Sequence, residues 1–189
     1  RWKPGPGAAL FDALLRKLGT LPVVAEDLGE ITPDVPALMQ QFHFPGMAVL
    51  QFAFGGDASH AFLPHNYARN LVAYTGTHDN DTLVGWWNAP DPTGDLARVR
   101  AHAASYVGSE EGDFHWEAIR MLAASVARTV VLPMQDALGL GNGARMNTPG
   151  QAEGNWAWRM IEQPPAQLAS DLRRLMTTYG RCSAEPLVR

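Results

Sequence analysis

Three clusters of polar and ionisable side chains directly follow short apolar runs in this chain of 189 residues. The clusters are Glu26-Asp27, residues 77–81 and Gln135-Asp136. If the apolar runs are parallel strands of a barrel, their carboxyl ends meet at one face, which is where catalytic groups lie in such folds. We therefore expect the three clusters to open onto one shared face.

Glu26 and Asp79 have the residue types that cleavage of a glycosidic bond requires. That reaction needs a protonated acid at the leaving oxygen and negative charge near the developing oxocarbenium ion. Glu26 follows the apolar run 23–25, and low-dielectric surroundings there would keep its carboxyl protonated near neutral pH. Asp79 lies between His78 and Asn80, a polar, hydrogen-bonded setting in which it would stay ionised. The sequence therefore predicts Glu26 as the acid and Asp79 as the stabilising carboxylate.

The same residues also allow a rival interpretation as a metal site. Side chains with ligating atoms are His78, Asp79 and Asp81, together with His60 or His65 from a neighbouring loop. The His-Asp pair is short, however, and no second spaced pattern of His and Asp accompanies it. We therefore prefer the glycosidic interpretation and predict no metal and no other cofactor. His65 also has a structural interpretation, as a loop histidine that satisfies backbone groups.

The elements that must position these groups alternate between strand and helix. The predicted strands are short apolar runs typical of strands buried on both faces, at residues 21–25, 47–54, 71–75 and 129–134. The predicted helices have apolar residues at helical spacing, at residues 9–18, from about 32–34 to near 45, and at 95–107, 113–128 and 165–179. Gly19 and Gly108 are predicted to end the first and third of them. The connection 55–70 is polar, contains Gly and Pro and shows no helical pattern, which is typical of a functional loop.

Short strands separated mostly by helices predict parallel βαβ units and the α/β class. A complete (β/α)₈ TIM barrel needs eight strands and typically about 250 residues, whereas the sequence predicts half that number of strands. We therefore expect half of such a barrel, formed as a single unit by residues 1–189. Half a barrel would expose two unpaired strand edges, so we also expect self-association.

Composition and charge exclude several classes of partner. The formal net charge of −4 argues against nucleic acid or an anionic membrane surface, since both need a basic face. No apolar run reaches the roughly 18 residues of a membrane span, and no charged-then-apolar leader indicates export. The single cysteine, Cys182, cannot form an internal disulfide, which predicts a cytoplasmic location.

Several motifs of the chain resemble, in order, those of 4-α-glucanotransferases, also called amylomaltases or disproportionating enzymes. They are AEDLG at 25–29, PGM and VLQFAF at 45–54, LPHNY at 63–67, YTGTHDNDT at 74–82, residues 133–140, ARMNTPG at 144–150 and GNW at 154–156. The family belongs with the retaining α-amylase-like enzymes and transfers glucan segments between chains. The resemblance therefore implies maltooligosaccharides and α-1,4-glucans as partners.

The resemblance also implies roles for individual residues. Glu26 matches the general acid/base at the end of the fifth barrel strand, and Asp79 matches the transition-state carboxylate at the end of the seventh, so the chain would carry strands five to eight, the C-terminal half. His78 resembles the neighbour that hydrogen-bonds the sugar, and Asn147 falls in a segment near the substrate groove. Further candidate substrate-binding residues are Asp27, Gln51, Asp57, His65 and Asn80.

Two departures from the family pattern affect the expected activity. The family often has an aspartate where this chain has Gly55. The family's nucleophilic aspartate lies on the fourth strand in an Arg-x-Asp context, and no such triplet precedes Glu26. We therefore expect a missing N-terminal half to supply the nucleophile and this chain alone to be inactive. The alternative is a carbohydrate-binding half-barrel without catalysis.

Overall fold

The computed structural model describes residue 3 and residues 5–108 and 113–182, and a parallel three-stranded sheet lies at its centre. The strands are β1 (Gly46–Val49), β2 (Leu71–Tyr74) and β3 (Thr129–Val131), paired in that order. In the register, Val49 lies opposite Tyr74, and Tyr74 lies opposite Val131. The carboxyl ends of the strands therefore lie along one edge, and the predicted α/β class with parallel strands is confirmed.

Five of the helices agree with the predicted periodicity, and two short helices, α3 and α6, were not predicted. The helices are α1 (Ala8–Leu18), α2 (Asp34–Phe42), α3 (Leu83–Asn88), α4 (Asp95–Val107), α5 (Phe114–Ala124), α6 (Met134–Ala137) and α7 (Ala166–Thr178). Gly19 and Gly108, predicted to end α1 and α4, have φ angles of 74° and 77°, a region that favours glycine. None of the helices within the described ranges combines the length and the apolarity needed to cross a membrane.

The predicted first strand, at residues 21–25, is an extended segment and not a strand. Its one backbone bond toward the sheet runs from Ala25 N–H to the Pro45 carbonyl at 2.9 Å. Pro22 has no N–H to donate, and Val23 N–H instead closes a three-residue turn on the Leu21 carbonyl. Val24 is exposed, so the expectation of burial on both faces is also wrong. The segment nevertheless runs beside the start of β1 and ends at Glu26.

The predicted second strand is shorter than expected, because β1 ends at Val49 and a 3₁₀ helix continues from Leu50 to Gly55. Its burial follows the three-residue period of a 3₁₀ helix: Leu50 and Ala53 are buried, whereas Phe52 is half exposed. The loop Gly55-Gly56-Asp57 therefore does not directly follow a strand. The last predicted strand is also short, because β3 ends at Val131 and α6 begins after Pro133.

The main hydrophobic core joins the sheet to α3, α4 and α5. It includes Ala48 of β1, Ala73 of β2, Leu83 of α3, Ala103 of α4 and Leu122 of α5, all at most 1 % exposed. A smaller cluster around Ile119, Ala123 and Leu175 joins α5 to α7. The connection between β2 and β3 is thereby packed against the sheet, which holds the segments beyond these two strands in place.

Candidate active site

Glu26 and Asp79 line one cleft of about 410 Å³ at the carboxyl ends of the strands. The rest of its lining is mainly apolar, with Val24, Leu28, Met47, Tyr74, Val131 and Pro133, and includes His78. This volume lies within the range of small-molecule sites, about 300–1,000 Å³. The structure therefore brings together the two carboxylates that the sequence predicts as catalytic, although 53 positions separate them in the chain.

Asp27 orients the segment that carries Glu26. Its Oδ1 accepts a hydrogen bond of 2.7 Å from the N–H of Met47 in β1, and its carboxylate lies where a side chain on Gly46 would have to be. The Asp27 carboxylate is thus bound to the start of β1, whereas the Glu26 side chain is exposed to solvent. The expectation that apolar neighbours enclose Glu26 is not met within the described residues, because the preceding segment is itself half open to solvent.

Asp79 lies in the loop after β2, in the polar, hydrogen-bonded setting that the sequence predicts. Its Oδ1 accepts a bond of 2.5 Å from Asn147 Nδ2 and lies 3.4 Å from His78 Nε2. The side chains of both Asp79 and His78 are 50 % exposed. Asn80 shapes the same loop, because its Oδ1 accepts bonds of 2.9 Å from the N–H and the hydroxyl of Thr77.

A second, smaller cleft of about 190 Å³ adjoins the first and shares His78 with it. Arg145 and Trp156 line this second cleft. The Trp156 indole packs on the His78 ring with 5.0 Å between ring centroids, and 54 % of Trp156 is exposed. Neither Arg145 nor Trp156 was predicted as a site residue, although the ARMNTPG and GNW motifs contain them.

Asp27 and Asn147, bonded as described above, and three further predicted substrate-binding residues line neither cleft. Gln51 is buried and donates a 2.7 Å bond to the Asp81 carbonyl. Asp57 accepts bonds from the hydroxyl and N–H of Ser59, which lower its pKa. His65 lies between the Tyr106 hydroxyl and the Ala58 carbonyl, at 2.8 Å from each. The structure uses all three side chains locally and does not bring them to Glu26 and Asp79, and for His65 it supports the structural interpretation.

Asp136, from the third predicted cluster, lies with Gln135 in the wall of the second cleft, but it is buried. Its Oδ2 accepts a 2.5 Å bond from the Thr75 hydroxyl, and its Oδ1 accepts a 2.7 Å bond from Leu83 N–H. Burial raises the pKa of Asp136, while the two hydrogen bonds and the nearby His115 oppose that change. Because both oxygens are bonded inside the protein, Asp136 joins the end of β2 to the start of α3.

The metal interpretation finds no ligand set in the part of the chain that the structure describes. Within that part, no group of three or more His, Cys, Asp and Glu side chains is placed to hold an ion. Asp81 accepts bonds of 2.7 Å from Thr82 N–H and Asn142 Nδ2, and His65 is occupied as described above. The arrangement around Glu26 and Asp79 instead fits acid catalysis beside a stabilising carboxylate.

Comparisons with known proteins agree with this chemistry. A family model described as 4-alpha-glucanotransferase matches residues 1–163. The 4-alpha-glucanotransferase of Synechocystis sp. is 49 % identical over 185 residues, covering 95 % of this chain and 35 % of that protein. The chloroplastic/amyloplastic 4-alpha-glucanotransferase of Arabidopsis thaliana is 47 % identical over 186 residues, covering 96 % and 31 %. The chain thus spans about a third of the length of these relatives.

Solved structures show the same similarity in three dimensions. The amylomaltase from Streptococcus agalactiae in complex with acarbose superposes with a TM-score of 0.87 at 34 % identity, covering 97 % of this chain and 37 % of that one. The amylomaltase from Corynebacterium glutamicum has a TM-score of 0.63 at 20 % identity, covering 85 % and 29 %. At that identity the second match bears on the fold alone.

Proposed function

The chain belongs to the 4-alpha-glucanotransferase family, and on this premise we propose that it supplies the acid/base and the transition-state carboxylate of an enzyme that transfers α-1,4-glucan segments between maltooligosaccharides. The observation that carries the proposal is the common cleft of Glu26 and Asp79. The mainly apolar lining of that cleft suits the faces of a sugar ring, while the two carboxylates supply the polar contacts.

In the proposed double displacement, a nucleophilic carboxylate outside this chain attacks the anomeric carbon while Glu26 protonates the leaving glucan oxygen. Asp79, held in a polar setting, stabilises the positive charge that develops on the ring. In the second half-reaction, Glu26 removes the proton from the 4-hydroxyl of an acceptor glucan, which displaces the enzyme and restores an α-1,4 bond. Transfer exceeds hydrolysis when the acceptor glucan excludes water from the cleft.

We further propose that the three-stranded sheet and its helices belong to the C-terminal half of a (β/α)₈ barrel, carrying strands five to eight. The missing N-terminal half is then the chain's main partner and carries the nucleophile. Without that half, the open edges of the sheet and exposed apolar residues such as Val24 and Val131 favour self-association. A cytoplasmic location and the assignment of residues 1–189 to a single unit remain predictions.

The proposal is tested with the full-length protein that contains this chain, by measuring glucose release from maltotriose. Glu26→Gln keeps the side-chain shape and removes the acid, and we expect kcat to fall by at least about 100-fold, since general acid–base catalysis contributes about 10²–10⁴-fold. Glu30→Gln, at another exposed glutamate of the same segment, is the matched control and should keep its activity. Equal activity of both variants would refute the assignment.

A second measurement separates catalysis from binding. A carbohydrate-binding half-barrel without catalysis would bind maltotriose in calorimetry whether residue 26 is Glu or Gln, and the full-length protein would release no glucose. We expect glucose release by the full-length protein and none by this chain alone. Glucose release by this chain alone would show that the nucleophile lies within it.

A further inference from the structure

A set of hydrogen bonds, the brace, ties the loop that carries Asp79 to residues 145–147. Asn147 N–H donates to the His78 carbonyl at 3.1 Å, and Asn147 Nδ2 donates to Asp79 Oδ1 at 2.5 Å. Arg145 Nη2 donates to the Asp79 carbonyl at 2.7 Å, and its Nε donates to the Asn147 carbonyl at 2.8 Å. Main chain and side chain of Asp79 are thus both held by the same short segment.

We propose that Asn147 and Arg145 are positioning residues, which set the orientation of the Asp79 carboxylate and act on the sugar through it. This inference rests on the proposed function and gives Asn147 a different role from the substrate contact that the sequence predicts. An aspartate that is half exposed would otherwise rotate freely, and misplacement of a catalytic group by about 1 Å can lower a rate by about 100-fold.

The geometry assigns different tasks to the two oxygens of Asp79. Oδ1 faces both Asn147 Nδ2 and His78 Nε2, whereas Oδ2 has no hydrogen-bond partner among the residues whose structure is described. The brace therefore takes one oxygen and leaves the other for the substrate. Contacts to Oδ1 alone fix the orientation of the carboxylate, and Oδ2 can then accept a bond from a sugar hydroxyl or face the developing charge.

Arg145 has a separate role in the brace, which is to hold two backbone segments at a set distance. The donors of a guanidinium are fixed in one plane, so bonding the Asp79 and Asn147 carbonyls together defines the spacing of the two loops. The rest of the second loop is itself closed by Asn155, whose Oδ1 accepts from Thr148 N–H at 2.8 Å and whose Nδ2 donates to the Gln151 carbonyl at 2.9 Å. The loop that follows Arg145 and Asn147 is therefore held by its own hydrogen bonds.

The test uses the full-length protein with maltotriose as substrate and separates kcat from KM. Asn147→Ala should lower kcat by about 10- to 100-fold with KM changed by less than about threefold, since the sugar contacts of the ground state remain. Asn142→Ala is the matched control, because Asn142 Nδ2 also donates to a carboxylate, Asp81, at 2.7 Å. It should keep kcat within about twofold. A rise in KM with kcat unchanged would overturn the proposal, because it would show direct sugar binding by Asn147.

A double-mutant cycle with Asp79→Asn provides a readout that a merely structural role would not move. If Asn147 acts through Asp79, then Asn147→Ala should lower kcat by less than about twofold in the Asp79→Asn background. Equal losses in both backgrounds would show an independent role and overturn the proposal. Asn147→Leu keeps a side chain of similar shape without the donor or a new charge and serves in the cycle if the alanine variant does not fold.

Arg145 is tested by graded replacement. Arg145→Lys keeps the positive charge and a donor group but loses the planar fork, and it should retain more of kcat than Arg145→Met, at unchanged KM. Arg159 also donates to two backbone carbonyls, those of Trp156 and Trp158, so Arg159→Met is a control that should leave kcat unchanged. Equal kcat for the Lys, Met and original forms of residue 145 would remove Arg145 from the brace. A wild-type protein that releases no glucose, or an Asp79→Asn variant with full activity, would instead refute the proposed function itself.

Discussion

Replacing the buried Asp136 distinguishes the hydrogen-bond acceptor from the negative charge. Asp136→Ala leaves the Leu83 N–H and the Thr75 hydroxyl without their partner, and both residues are at most 1 % exposed. Each buried, unsatisfied polar group costs about 1–3 kcal/mol. We therefore expect a loss of about 3 kcal/mol in the free energy of unfolding, which for a full-length protein about three times as long as this chain corresponds to a Tm lower by about 2–3 °C.

Asp136→Asn should be nearly neutral at pH 7. The amide oxygen can still accept from Leu83 N–H, and the amide NH₂ can donate to the Thr75 hydroxyl, which turns around to accept. The change also removes a buried charge, so we expect a free energy of unfolding within about 1 kcal/mol of the original. Thermal melting of the full-length protein, followed by circular dichroism, measures both variants. An Asn variant as unstable as the Ala variant would refute this reasoning.

Comparing the original protein with Asp136→Asn over a range of pH tests the direction of the pKa shift of Asp136. Because burial raises the pKa of Asp136 above its ordinary value of 3.8, the folded state holds the proton to higher pH than the unfolded chain does. The stability that protonation of Asp136 contributes is therefore complete below pH 3.8 and is lost as pH rises through the folded pKa. Relative to the original protein, Asp136→Asn should gain Tm as pH rises over this range. A relative loss would show that the fold stabilises the charged carboxylate.

Three further substitutions test other contacts. Arg181→Met removes a guanidinium that donates to carbonyls in the last turn of α5 and just after it at 2.6–3.1 Å. This change should cost about 2–4 kcal/mol in thermal melting, whereas Arg174→Met, at an exposed arginine, should cost little. Gly85→Ala places a methyl group against the Asp81 carboxylate, and a net loss of about 1–3 kcal/mol should appear in the same assay. His65→Ala should lower the stability by about 1–2 kcal/mol with the KM for maltotriose unchanged, and a raised KM would restore His65 as a substrate-binding residue.

Where a structural feature depends on neighbours in the chain, the sequence predicted it well. The apolar spacing predicted α1, α4 and α7, and the glycines after α1 and α4 end these helices at the predicted places. The same local logic failed at residues 50–55, because an apolar run does not distinguish a strand from a 3₁₀ helix whose every third position faces outward. Pro22 disrupted the predicted first strand in a similarly local way.

The sequence by itself predicted a parallel α/β unit in which Glu26 and Asp79 each follow an apolar segment, since the alternation of strands and helices indicates parallel strands. Only the tertiary structure decided what each polar side chain does there. Asn147 contacts Asp79 across 68 positions, and Asp136 contacts Thr75 across 61. No local period encodes such pairs, because packing of the crossover helices against the sheet decides which polar groups meet. That packing buries Asp136 as a structural acceptor and leaves Asp79 at the surface beside Asn147.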